Sequence, residues 1–200
     1  MDTYKTIAQV GEAQLTEKRS RFLAFAMHVE SEAEAKETVA SFKKKYYDAR
    51  HVCYAYVVGN KSECIRANDD GEPSGTAGRP ILWQIESRGL TYTLVVVVRY
   101  FGGVKLGTGP LGVAYKTAAA DAIELCELKE CIMKAEFKVD VPYADADVAM
   151  RFIKEASAEI TQREYTENGT ILTISIRLAD EESLRNRLSK ILSLKFVKEE

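Results

Sequence analysis

Tyr92-Thr93-Leu94-Val95-Val96-Val97-Val98, running on into Arg99-Tyr100-Phe101-Gly102-Gly103-Val104-Lys105-Leu106-Gly107-Thr108-Gly109-Pro110-Leu111-Gly112, is the stretch on which the fold turns. Its β-branched run predicts a strand and its glycines a loop. The alanine-supplied stretch from about Pro110 to Leu128 predicts a helix, with proline near the first turn, where a missing N–H costs nothing. Toward the N-terminus lies a second glycine-bearing stretch, Asp69-Asp70-Gly71-Glu72-Pro73-Ser74-Gly75-Thr76-Ala77-Gly78-Arg79-Pro80, leading into an apolar piece from Pro80 to Ile85. Further strands are predicted over Val52 to Val58 and Arg21 to Met27. Between them Ser31 and Glu34 form an S-x-x-E capping box. Ala35, Val39, Phe42 and Tyr46 then give one apolar helix face, with Lys43-Lys44-Lys45 on its solvated side.

The second half carries a different pattern. Ala135, Phe137, Val139 and Val141 alternate with charged residues, the period of a half-buried strand. A helix with Val148 and Phe152 on one face follows, then two strand-like runs joined at Asn168-Gly169, which favours a tight hairpin. Asp180 caps a helix carrying Leu184, Leu188 and Ile191, and Leu194 to Val197 makes a last strand. The order βαββαβ is ferredoxin-like. The chain therefore reads as an α+β protein with a first domain over 1–130 and a ferredoxin-like domain over 131–200.

A net charge of -2 argues against wholesale coating of DNA or anionic membrane, while leaving room for a local basic patch. The longest aliphatic run, Leu94 to Val98, is too short to span a bilayer. Met1-Asp2-Thr3-Tyr4 has neither the basic start nor the apolar stretch of a signal peptide. Cys53, Cys64, Cys126 and Cys131 form no Cys-x-x-Cys pair, which fits reduced thiols in a cytoplasmic protein.

The two glycine-bearing stretches hold eight of the chain's 12 glycines, so they are where the backbone is built for something other than packing. Each runs into a helix start, whose unpartnered N–H groups and dipole favour an anion. Arg79 and Lys105 would add side-chain charge. The competing reading is that the glycines only serve tight turns. Residues 107–112 match G-x-G-x-x-G literally, but they come too long after the strand and lack the following acidic strand end, so no dinucleotide site is inferred.

These loops, with Lys18-Arg19-Ser20-Arg21-Phe22 and His51-Val52-Cys53-Tyr54-Ala55-Tyr56, closely resemble the signature of the Impact (YigZ) family over roughly residues 17 to 116. The second half looks like the C-terminal domain common in bacterial members. The resemblance implies a ribosomal-protein-like first domain with a left-handed βαβ unit, shared with one domain of elongation factor G. It also implies a link to translation, with RNA or ribosome binding as the usual suggestion for bacterial-type members. Eukaryotic relatives act on a stress-kinase pathway through an additional N-terminal domain, so that role is not carried over. Two positions depart from the family pattern: Val113 stands where a basic residue is frequent, and Pro110 where glycine is common.

Candidate contacts to nucleic acid or phosphate are Lys18, Arg19, Arg21, Arg50, His51, Gly75, Thr76, Gly78, Arg79, Arg99, Tyr100, Gly102, Gly103, Lys105, Gly107 and Thr108. Tyr54, Tyr56, Tyr100 and Phe101 offer stacking faces for single-stranded RNA. Asp69 and Asp70 are a candidate metal pair, against the plainer reading that aspartate bonds its own turn. His51 and Cys53 share a strand face, yet nothing supplies an orienting third group for a nucleophile. Taken with what the resemblance implies, the leading expectation is a non-catalytic, cytoplasmic, translation-linked binding protein that needs no cofactor and whose partner is RNA or the ribosome. The alternatives are an enzyme acting on a nucleotide or other small phosphorylated ligand with a metal at Asp69 and Asp70, and an adaptor for a protein partner.

Overall fold

The computed structural model describes residues 2–60 and 62–197. The chain divides into two compact units, residues 4–131 and residues 132–197, with Asp2 and Thr3 grouped with the second. No helix among the described residues is long and apolar enough to cross a membrane.

From Thr3 to Ile132, which spans the first unit, the elements in chain order are β1 (Thr3–Gln9), β2 (Gly11–Glu17), β3 (Ser20–His28), α1 (Glu32–Lys45), β4 (His51–Val58), β5 (Cys64–Asn68), α2 (Gly78–Glu86), β6 (Thr93–Tyr100), α3 (Thr108–Glu124) and β7 (Glu127–Ile132). Five strands form one sheet in the order β2-β3-β6-β4-β5, with β6 at its centre. β3 and β4 are both antiparallel to β6, so they run parallel to each other on either side of it, joined by α1. One sheet face, presenting Ala24, Cys53, Ala55, Val95 and Val97, packs on α2 and α3. The other, presenting Phe25, Val52, Tyr56, Val96 and Val98, packs on α1. A central strand covered on both sides must be apolar on both sides, which is why Leu94 to Val98 does not alternate. Each such side chain withdrawn from water contributes about 1.5–3 kcal/mol.

Some local expectations are corrected. α3 stops at Glu124, not Leu128, and the chain turns into β7, which pairs with β1. β1, β2 and β5 lie in stretches whose mixed polarity concealed them. Ser31 does cap α1 by accepting from Glu34 N–H (3.2 Å), but the Glu34 carboxylate reaches back to Glu30 N–H (2.7 Å).

The second unit runs β8 (Lys134–Pro142), α4 (Ala146–Glu155), β9 (Glu159–Tyr165), β10 (Gly169–Arg177), α5 (Glu181–Leu188) and β11 (Lys195–Val197). Its antiparallel sheet has the order β11-β8-β10-β9, the ferredoxin-like arrangement. Phe137, Val139, Val141, Ile174 and Ile176 face α4 and α5 through Ala149, Ile153, Leu184 and Leu188. The β9–β10 loop is Thr166-Glu167-Asn168, with Gly169 already in the strand. Asp180 sits at the N-cap of α5 without a side-chain capping bond, because a short 3₁₀ turn over Leu178–Asp180 leads directly into the helix.

Candidate functional site

Topology brings both glycine-bearing loops to one end of the first sheet. β6 ends at Tyr100 where β4 begins at His51 and β3 at Ser20, and β5 ends beside the start of β4. Arg99 is in register with His51 on one side and Phe22 on the other, so the three side chains form a row on the face covered by α2 and α3. The loop after β5 and the loop after β6 rise beside that row, and α3 starts there.

Between them lies a cleft of about 580 Å³, lined by Arg50, His51, Glu72, Arg99, Phe101, Lys105, Gly107 and Thr108 among others. At its base Glu72 is nearly buried. Its Oε1 accepts from Arg99 Nη1 at 2.5 Å and from the Tyr115 hydroxyl at 2.8 Å. Its Oε2 lies 3.7 Å from His51 Nε2. His51 Nδ1 donates to the Asp70 carbonyl (2.8 Å), which fixes the ring and turns Nε2 toward Glu72. Arg99 also reaches Ser20 Oγ at 3.4 Å, while its buried Nε has no hydrogen-bond partner among the described residues.

The aspartates serve the loop. Asp69 accepts from Gly75 N–H (2.9 Å), Ala77 N–H (2.9 Å) and Gly78 N–H (2.8 Å). Burial would raise its pKa, but those three donors prevail and hold it below the ordinary carboxylate value. The α2 start is thereby filled by the protein's own carboxylate, so it offers no vacant donors to a phosphate at Gly75 or Gly78. Asp70 turns elsewhere, accepting from Val52 N–H (2.7 Å) and pairing with Lys43 (2.5 Å). The two carboxylates diverge onto protein partners rather than facing one ion, and no group of three or more His, Cys, Asp or Glu suited to a metal occurs among the described residues. The His51–Cys53 nucleophile does not assemble either. Cys53 Sγ lies 3.0 Å from the Asp69 carbonyl and 3.3 Å from the Tyr115 hydroxyl. Burial first, with Glu72, Asp70 and Asp69 adding to it, pushes the thiol far above its ordinary value.

The α3 start differs from the α2 start. Gly107, at φ +80, is its N-cap and supplies no side-chain hydrogen bond; Gly107 and Thr108 line the cleft, and of the first-turn N–H groups Leu111 already donates to Gly107 O (3.0 Å). Arg50 and Lys105 line the same cleft, and no ion pair engages either among the described residues. Thus Arg50, His51, Arg99, Lys105, Gly107 and Thr108 converge. Others do not. Arg79 is exposed and lines neither this cleft nor the neighbouring groove described below. Lys18 and Arg19, at φ 42 and 68, form the β2–β3 turn. Gly102 is required there for close approach, since a Cβ would sit 2.1 Å from Arg19 C. Gly103, at φ +84, turns the same loop. Arg21 lies over the Tyr100 ring, whose hydroxyl donates to Asp48, on the opposite sheet face. Tyr56 is buried there, with Tyr54 packed beside it, leaving Phe101 as the proposed aromatic that does line the cleft.

A second groove of about 380 Å³ adjoins the cleft through Thr108 and includes Gly75, Thr76, Trp83 and Lys116. Trp83, within the apolar piece from Pro80 to Ile85, was not singled out from sequence; it stands on α2 as an exposed large hydrophobic residue.

The model of the Impact N-terminal domain matches residues 18–123, and that described as a domain of unknown function (DUF1949) matches residues 139–193. The chain is 34% identical over 168 residues to the IMPACT family member YvyE of Bacillus subtilis (strain 168), covering 84% of this chain and 77% of that one. It is 33% identical over 150 residues to the IMPACT family member YigZ of Escherichia coli (strain K12), covering 74% of each. A crystal structure of a hypothetical protein superposes with a TM-score of 0.77 at 28% identity, covering 100% of this chain and 98% of that one.

Proposed function

This chain belongs to the Impact family, and we propose that it is a translation-linked binding protein that contacts RNA or the ribosome through the cleft of its first unit. The link to translation comes from the family resemblance. The phosphate contact is supported by one observation: the start of α3, without a side-chain cap from Gly107, borders a cleft that also holds Arg50 and Lys105, while Glu72, the one acid among the described lining residues, is neutralised by Arg99. A backbone phosphate placed against Thr108 N–H would meet the helix dipole and two cations together. Nothing in this arrangement requires chemistry on the ligand, because the Cys53 thiol stays protonated and Asp69 and Asp70 are committed to the loop.

The test is binding of single-stranded RNA and of ribosomes at two salt concentrations. Replacing both Arg50 and Lys105 by alanine is expected to weaken binding and lower the salt slope by roughly 1.4, at about 0.7 per phosphate neutralised. Arg79→Ala, outside the cleft, is the control and should change the slope less. Equal affinity and slope in the double variant would refute the assignment. A cleft of this volume also suits a small phosphorylated ligand. Stabilisation by nucleotides with no binding of RNA would favour that reading.

A further inference from the structure

The groove beside the cleft has a composition of its own. Gly109, Gly112, Val113 and Lys116 recur at the i, i+3, i+4, i+7 spacing, one stripe of α3, and face Trp83 and Pro80 of α2. Trp83 is the chain's one tryptophan and is 52% exposed even with Lys116 Nζ lying 4.4 Å from its ring centroid. The glycines leave a shelf beside it: a Cβ on Gly109 would meet nothing within 4 Å, and one on Gly112 only Thr76 O at 3.8 Å and Pro80 Cγ at 3.9 Å. Among the described residues no acidic side chain lines the groove, and Thr108 borders both it and the cleft.

We propose that Trp83 is the stacking platform for an unpaired base of single-stranded RNA whose adjoining phosphate occupies the cleft at the start of α3. The inference rests on the phosphate reading of that cleft and adds the nucleic-acid class: a flexible single strand with a splayed base, as opposed to a duplex. The charges select this occupant. An indole flanked by an ammonium and free of carboxylates suits a flat aromatic group carried on a polyanion, and repels neither part of it. Continuity through Thr108 lets one strand use both hollows, with its phosphate on the helix start and its base on the indole.

The experiment titrates the full chain with single-stranded oligoadenylate, reading tryptophan emission and, separately, anisotropy of a labelled oligonucleotide. The expected result is quenching of Trp83 that parallels binding. Trp83→Ala should weaken the Kd by about 5- to 150-fold, the range for loss of one base–aromatic stack. Gly109→Leu fills the shelf while keeping both the indole and the charge, and should weaken binding similarly and abolish quenching. An oligonucleotide with abasic positions should bind through the cleft without quenching. Binding with unchanged emission, and equal affinity in both variants, would overturn the stacking assignment while leaving the phosphate site standing. Absence of any oligonucleotide binding would overturn the phosphate reading and this inference with it. Emission that responds only to a protein partner would reassign the groove and refute the proposal.

Discussion

Replacing Glu72 by leucine should destabilise the first unit far more than its loop position suggests. The Glu72 and Arg99 side chains are only 4% and 6% exposed, so removing the carboxylate leaves a guanidinium in the interior without its counter-charge. Breaking a buried pair from one side costs about 3–5 kcal/mol. The Tyr115 hydroxyl also loses its acceptor, a further penalty of about 1–3 kcal/mol if it finds no other. Arg99 borders the cleft, where water can approach part of it, so the lower end of the sum applies, about 4 kcal/mol. Arg99→Met should cost a comparable amount by stranding Glu72. The double variant removes both charges and should lose about 0–2 kcal/mol, because two apolar side chains replace an ion pair whose attraction was largely offset by desolvation. The readout is urea unfolding followed by tryptophan emission. Trp83 lies in the first unit, so the signal reports that unit without contamination from the other. With an m-value of about 2 kcal/mol per M, the single variant shifts the midpoint by roughly 2 M. A loss below about 1 kcal/mol for Glu72→Leu, or strictly additive losses in the double variant, would refute the buried-pair argument.

Two further predictions follow from the loops. Because the folded pKa of Asp69 is depressed, its stabilising contribution is present above the unfolded value and is lost as pH falls through the folded one; acid unfolding of Asp69→Asn should therefore show a flatter limb below about pH 4, and an unchanged limb would refute the role. Gly102→Ala places a methyl against the Arg19 and Ser20 backbone and should destabilise by about 1–3 kcal/mol in the same urea assay, whereas Gly109→Ala, open to solvent, should not.

The ordering of elements was legible wherever one face of a periodic segment is buried. Ala35 and Val39 of α1, the alternation through Phe137, Val139 and Val141, and the Leu184–Leu188 face of α5 all pack as their spacing requires. The strands that escaped notice, β1, β2 and β5, contribute few buried side chains of their own and are held by pairing to neighbours, which leaves little periodic signal. The glycine-bearing loops announced themselves by composition alone. Their division of labour did not, because it depends on which donors already have partners. Asp69 precedes the α2 start by nine residues and caps it; among the described residues no side chain does the same for α3.

From the sequence came the α+β class, the ferredoxin-like order of the second unit and the glycine-rich character of residues 69–80 and 99–112, since local periodicity and turn chemistry are properties of neighbouring residues. Only the tertiary structure decided that Arg99 is a buried partner of Glu72 while Arg50 and Lys105 remain at the cleft. It alone set Tyr56 in the core and Trp83 at the surface. Whether a charge is neutralised, a helix start is capped or an aromatic face is free depends on residues brought together from distant parts of the chain, and that proximity exists only once the sheet has placed β3, β4 and β6 side by side.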